Sequence, residues 1–134
     1  MALTDKIDFA AGDDKGTAYT TNLTIAGGAK NTTPGVRIPC EGIRELALLP
    51  QATCPPGASG TLTFDLAIRA KGGVSDDRRI TLDIGDGVTR KGPIYLLDVN
   101  GFDSIQFFSV VNGDGSHQLT AVNVNIHRVG RLMK

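Results

Sequence analysis

The residues of this chain that could do acid–base chemistry are its two histidines, His117 and His127. A hydrolase site pairs such a base with a nucleophile in a recognisable context, for example a Gly-x-Ser-x-Gly elbow. Neither histidine has that context: His117 follows the Gly-rich segment Asn112–Ser116, and His127 is on the polar side of an alternating run. The sequence therefore predicts surface or interface imidazoles, and we expect that the protein is not an enzyme.

The two cysteines, Cys40 and Cys54, leave two alternatives open. A disulfide is sterically possible if the two proline-flanked loops that contain them meet. A structural zinc site needs four ligands with paired spacing, which two isolated cysteines do not supply. Because thiols stay reduced in a protein made in the cytoplasm, the sequence favours buried free thiols.

Acidic turns suggest calcium chemistry. Asp83, Asp86 and Asp114 lie in Gly-rich segments that bring oxygen ligands close together, as a calcium site requires. The two segments are residues 83–87 and 112–116. Neither continues into a twelve-residue calcium loop that ends in a bidentate glutamate, and Asp-Gly or Asn-Gly is also what tight turns need. The sequence therefore favours turns over a metal site and predicts no cofactor.

Composition disfavours several classes of partner. The 14 basic and 14 acidic side chains cancel, so no net field attracts nucleic acid or an anionic membrane. Tryptophan is absent and aromatic residues make up 5%, which leaves few rings for stacking on sugars or bases. No segment approaches the ~20 apolar residues of a membrane span, and the charged start is unlike a secretory signal. We expect synthesis in a cytoplasm and no nucleic-acid or membrane partner.

The elements that position these residues are predicted to be strands, because glycine (17 residues) and proline (6 residues) are frequent and helix formers are sparse. Apolar and polar residues alternate with period two at 62–68, 80–84 and 122–126. About eight strands fit the chain, which predicts an all-β antiparallel β-sandwich or jelly roll. The predicted inward residues are Leu62, Phe64, Leu66, Ile68, Ile80, Leu82, Ile84, Val122, Val124 and Ile126.

Three segments carry more specific expectations. Residues 43–49 permit either a pair of helical turns or a strand that ends at Pro50, and the nearby Pro39 and Gly42 favour the strand. The polar stretch 71–79 predicts a long exposed connection. The two β-rich runs on either side of Asn112–Ser116 predict a hairpin with that segment at its tip.

The outgoing run of this predicted hairpin is apolar on both faces, since it contains Phe107, Phe108, Val110 and Val111. A strand of this kind needs cover on both sides. One face can meet the domain core, and the other requires a second layer or another chain. We therefore predict a homo-oligomer, with a trimer favoured, and place Phe108 and Val110 among its partner-binding residues.

The predicted domain organisation is an N-terminal arm at 1–16, one β-sandwich at 17–129 and a C-terminal tail at 130–134. The two ends are too polar and irregular to join the core, so we expect them to bind a partner. Ile7 and Phe9 would supply the apolar part of that contact, and Arg128 and Arg131 the charge.

The segment Leu97–Phe108 contains an Asp-x-x-Gly-aromatic-Asp turn that leads into the two-sided strand. This arrangement, with the Gly-rich tip and the opening Met-Ala-Leu-Thr-Asp, resembles small virion proteins of tailed bacteriophages. The resemblance implies a capsid decoration (cement) protein that forms symmetric oligomers, binds the major capsid protein or another virion protein and is located on the virion. It carries over no functional residue. The alternative is a tail-associated or carbohydrate-binding β-sandwich module, which the absence of tryptophan disfavours.

Overall fold

A computed structural model describes residues 5–6, 23–32, 37–70, 75–85, 87 and 89–131, with the backbone alone at 5–6, 90–91 and 128–131. These residues form an all-β structure without a helix, so none of them belongs to a helix that could span a membrane. The predicted fold class is confirmed. The strands are β1 (Asp5–Lys6), β2 (Leu23–Ile25), β3 (Lys30–Asn31), β4 (Ile38–Pro39), β5 (Ile43–Thr53), β6 (Thr61–Arg69), β7 (Ser75–Asp83), β8 (Thr89–Lys91), β9 (Tyr95–Asp98), β10 (Ser104–Asn112) and β11 (Leu119–Arg131).

The strands form two antiparallel sheets. In the six-stranded sheet β11 and β5 are central; β1 and β2 flank β11, and β8 and β9 flank β5. In the five-stranded sheet β10 and β6 are central; β3 and β4 flank β10, and β7 flanks β6. Five of the eleven strands contain only two or three residues, which explains why about eight were expected from the sequence.

One hydrophobic core fills the space between the sheets, as alternation along the strands requires. All the residues predicted to face inward are buried. Phe64 of β6 and Phe107 of β10 meet edge to face, with ring centroids 6.2 Å apart and an interplanar angle of 76°. Leu48 of β5 and Ile126 of β11, which pair in the opposite sheet, are also fully buried in this core.

The hairpin predicted around Asn112–Ser116 is wrong, because β10 and β11 belong to different sheets. The connection between them crosses the end of the sandwich. It is held there by main-chain contacts from Gly113 N to Thr61 O (2.9 Å) and from Gly28 N to Asp114 O (2.7 Å). Asn112 contributes its side-chain amide, which donates to Ile25 O, Ala26 O and His117 O. We call residues 112–118 the crossing turn.

Residues 43–49 form a strand, as favoured from the sequence, but the prediction that Pro50 ends it is wrong. β5 continues through Pro50 to Thr53. The Pro50 carbonyl accepts a hydrogen bond from Gly92 N (2.8 Å). Because the nitrogen and the carbonyl of one strand residue point to the same side, the Pro50 nitrogen also faces the edge where the pairing of β5 changes from β9 to β8. No backbone donor is needed in that gap, and the strand therefore tolerates a proline.

Other predicted boundaries also change. Ser75 pairs with Arg69, so β6 and β7 form a hairpin whose connection spans only residues 70–74, and the long loop predicted at 71–79 is wrong. β11 extends through Gly130 to Arg131, which pairs with Ile43, so the strand includes the start of the predicted C-terminal tail. Residues 5–6 of the predicted arm form β1 against His127 and Arg128.

Candidate assembly surface

A β-bulge in β10 determines which of its apolar residues reach the surface. Phe107 pairs with Leu66 and Ser109 pairs with Asp65, so Phe108 is the extra residue between them. The bulge shifts the inward positions by one residue. Phe107 before it and Val110 after it therefore both face the core, although an unbroken strand would place them on opposite faces.

Phe108 is half-buried on the outer face of the five-stranded sheet. Together with Asp65, Asp77, Arg78 and Arg79, it lines an open depression there. We call these five residues the Phe108 face. The arrangement places one aromatic ring among charged groups, as in interfaces where an apolar anchor is surrounded by a polar rim.

Two of the charged side chains beside Phe108, Asp65 and Arg79, form an ion pair. Arg79 Nε donates to Asp65 Oδ1 at 2.8 Å, and the Ser109 hydroxyl donates to Asp65 Oδ2 at 3.0 Å. The hydrogen bond from Arg79, supported by that from Ser109, holds the pKa of Asp65 below its usual value. Asp65 is therefore a carboxylate at neutral pH, and the Phe108 face presents a defined pattern of charge.

The predicted partner-binding residues have different outcomes. Phe108 is on the surface, as an interface residue must be. Val110 is fully buried against the core, so a partner-binding role for it is wrong, and the bulge is the reason. The backbones of Arg128 and Arg131 belong to β11. Ile7 and Phe9 lie outside the described residues.

Asp114, which was considered for calcium, is used to build the crossing turn. Its Oδ1 accepts hydrogen bonds from Ser116 N (2.8 Å) and His117 N (3.0 Å), and its Oδ2 accepts one from Ser59 N (2.7 Å). His117 Nδ1 lies 3.0 Å from both carboxylate oxygens. The bonds from Ser116 N–H and Ser59 N–H, with those from His117, hold the pKa of Asp114 well below its usual range. Asp86 lies outside the described residues, and those described contain no metal-ligating group of three or more.

Both cysteines are buried free thiols, as favoured from the sequence. Burial, together with the neighbouring Asp103 carboxylate, raises the pKa of Cys40 to about 11. Its sulfur lies 3.6 Å from the Phe102 carbonyl oxygen, to which the thiol donates. Cys40 is therefore protonated and unreactive at neutral pH.

No known protein-family model matches the sequence, and no curated protein matches it. Among solved structures, VP2 in the crystal structure of the infectious bursal disease virus VP2 subviral particle superposes with a TM-score of 0.50 and 12% identity. The match covers 94% of this chain and 38% of the VP2 chain. The fold resembles that of a viral capsid protein. At this identity the likeness concerns the fold alone, and the chain spans well under half of the VP2 chain.

Two surface residues were missed in the sequence. Ile94 and Leu96 are 51% and 61% exposed, although both are large and apolar. They flank Tyr95, whose side chain turns toward the sandwich and whose hydroxyl donates to Thr81 O at 2.8 Å. The signal was the unbroken apolar run Ile94–Leu97, which, like Phe107–Phe108, has apolar residues on both faces.

Proposed function

We propose that this protein is a structural component of a virion, a capsid decoration protein of the tailed-bacteriophage type that binds between shell subunits and stabilises the shell. The observation that carries the proposal is the Phe108 face, an aromatic anchor on an outer sheet surface that the described part of the domain leaves partly exposed. The likeness of the fold to a capsid protein over most of this chain supports it. The sequence resemblance to small virion proteins agrees with both.

In this proposal the Phe108 face joins the copies of a homotrimer. An open sheet surface with one central ring can bury that ring against a neighbouring copy, while Asp65 and Arg79 form the hydrated rim. The chain ends bind the shell: Ile7 and Phe9 supply apolar contact, and Arg128 and Arg131 supply positive charge. Several ends on one trimer would raise its avidity for the shell above that of one end.

Replacing Phe108 by aspartate should dissociate the trimer without unfolding the domain. The new carboxylate would be desolvated in the interface, near Asp65 and Asp77, and we expect the dissociation constant for this contact to rise about 30-fold or more. Sedimentation velocity at micromolar concentration measures the mass. Ser75→Asp, which adds the same charge at an exposed position on β7, should leave the trimer intact. An unchanged mass for Phe108→Asp would show that this residue makes no contact between copies.

The location on the virion is tested with particles from cells that make this protein. Particles purified on a density gradient should contain the chain in fixed proportion to the major shell protein, measured by mass spectrometry. A labelled antibody against the chain should decorate the intact shell in electron micrographs. Label confined to the tail would support the tail-associated alternative, and a chain found only in the soluble fraction would contradict a virion role.

A further inference from the structure

The two sheets end in edge strands of opposite character. β7, at the edge of the five-stranded sheet, has the exposed charged side chains Asp76, Asp77, Arg78 and Arg79. In addition, the Tyr95 hydroxyl donates to Thr81 O and accepts from Thr81 N, so the backbone polar groups of Thr81 on this edge already have a partner. Charged side chains and capped main-chain groups are what proteins use to prevent pairing between edges. β7 is therefore a protected edge.

β9, at the edge of the six-stranded sheet, lacks this protection. Among the described residues its only strand partner is β5. Leu96 on β9 and Ile94 just before it are the two large apolar side chains that are more than half exposed in that part of the chain. The carboxylate at its other end, Asp98, already accepts a hydrogen bond from Asn100 N at 3.0 Å. An apolar edge of this kind favours pairing with another strand.

The main-chain register shows which groups of β9 are free to pair. Val99 N donates to Arg44 O (3.0 Å), so the N–H of Val99 points at β5, while its carbonyl accepts a turn hydrogen bond from Phe102 N (3.0 Å). Because these groups alternate along a strand, those of Tyr95 and Leu97 also face β5, and those of Leu96 face the open side. The exposed Leu96 side chain thus belongs to the residue whose N–H and C=O are directed at a potential partner strand.

We propose that β9 is the contact for a second copy of this chain, paired antiparallel about a two-fold axis at Leu96. The two Leu96 residues would exchange both main-chain hydrogen bonds, and Ile94 of each copy would lie opposite Asp98 of the other. Leu96 and Ile94 of both copies would then form one apolar cluster on a single face of the joined sheets. The two Asp98 carboxylates stay at opposite ends of the pair, and Pro93 lies beyond it.

The self-complementarity of this register is the reason to choose a second copy as the occupant. An isologous contact needs one surface that matches itself, and β9 provides matching hydrogen-bond groups and apolar side chains without opposing like charges. The inference does not depend on shell binding. It adds a two-fold contact on the six-stranded sheet to the proposed trimer contact on the other sheet, and contacts of these two symmetries together build closed assemblies.

The test measures the mass of the oligomer that the full chain forms, by sedimentation velocity. Leu96→Lys is introduced both into the wild type and into Phe108→Asp. Leu96→Lys should lower the mass relative to its parent in both, and the double variant should be a monomer. We expect the dissociation constant of the β9 contact to rise at least roughly tenfold. Thr24→Lys, at an exposed position on the opposite edge of the same sheet, is the matched control and should leave the mass of its parent unchanged.

A second variant tests the main-chain pairing. Leu96→Pro replaces the leucine side chain and removes one main-chain donor, the N–H that faces the open side, which an edge strand tolerates, so the variant should keep its far-ultraviolet circular dichroism spectrum and lose the two-fold contact. If neither Leu96 variant lowers the mass in either background, the proposal is overturned. The effect of Phe108→Asp alone reports on the proposed trimer contact, so failures of the two proposals are distinguishable.

Discussion

Replacing Gly113 by alanine should lower the free energy of unfolding by about 3 kcal/mol or more, because the added carbon has no room. A Cβ at this position would overlap the carbonyl oxygen of Thr61 and crowd its nitrogen. Both obstacles are backbone atoms of β6, so no side chain can rotate away. The hydrogen bond from Gly113 N to Thr61 O fixes this close approach between the crossing turn and β6.

The comparison that isolates this effect is Gly115→Ala. Gly115 lies two residues further along the crossing turn, and no atom of the described residues lies within 4 Å of a Cβ added there. Alanine there should leave stability unchanged or raise it slightly by restricting the unfolded chain. Urea unfolding followed by circular dichroism measures both variants. Equal midpoints for the two would show that the contact with Thr61 does not constrain the fold.

Replacing Asp114 by asparagine should lower the melting temperature by on the order of 10 °C. The carboxylate accepts from Ser59 N, Ser116 N and His117 N, and so joins the crossing turn to the loop before β6. An amide offers one acceptor oxygen, so its NH₂ group would face a backbone N–H. Asp76→Asn, which neutralises an exposed carboxylate on β7 outside the Phe108 face, is the control and should change the melting temperature by little.

The lowered pKa of Asp114 predicts how the stability of the fold depends on pH. Hydrogen bonds lower the pKa of Asp114 in the folded state, whereas in the unfolded chain the pKa is about 4. Its stabilising contribution is therefore fully present above the unfolded value and is lost as the pH falls through the folded value. The difference in melting temperature between the wild type and Asp114→Asn should shrink as the pH is lowered from 5 to 2. A difference that stays constant over this range would contradict the role of the charge.

The residues of the core could be predicted because alternation is a local property. Leu62, Phe64 and Leu66 face inward since successive side chains of a strand point to opposite sides, and only one side of β6 meets the other sheet. The strand at residues 43–49 was also predictable, because the nearby Pro39 and Gly42 leave little room for a helix. Which sheet a strand joins is not a local property.

The crossing turn shows why the assignment of strands to sheets was harder to predict than the core. Asn112-Gly113 has the composition of a tight hairpin turn, but Asn112 bonds to the carbonyls of Ile25 and Ala26, and Gly113 bonds to Thr61, far away in sequence. Those distant partners hold β10 and β11 in separate sheets. Pro50 is a similar case, because its tolerance depends on the gap between β8 and β9 along the neighbouring edge.

Alternation along the sequence was enough to predict a β-sandwich, the residues that fill its core and an excess of apolar residues over what one core can cover. Which of these apolar residues reach the surface depends on tertiary contacts. A bulge opposite Asp65 turns Phe108 outward and returns Val110 to the core. Among the described residues β9 pairs only with β5, which leaves Leu96 at an open edge. Both outcomes depend on the register with a neighbouring strand, which is set by contacts between residues distant in the chain.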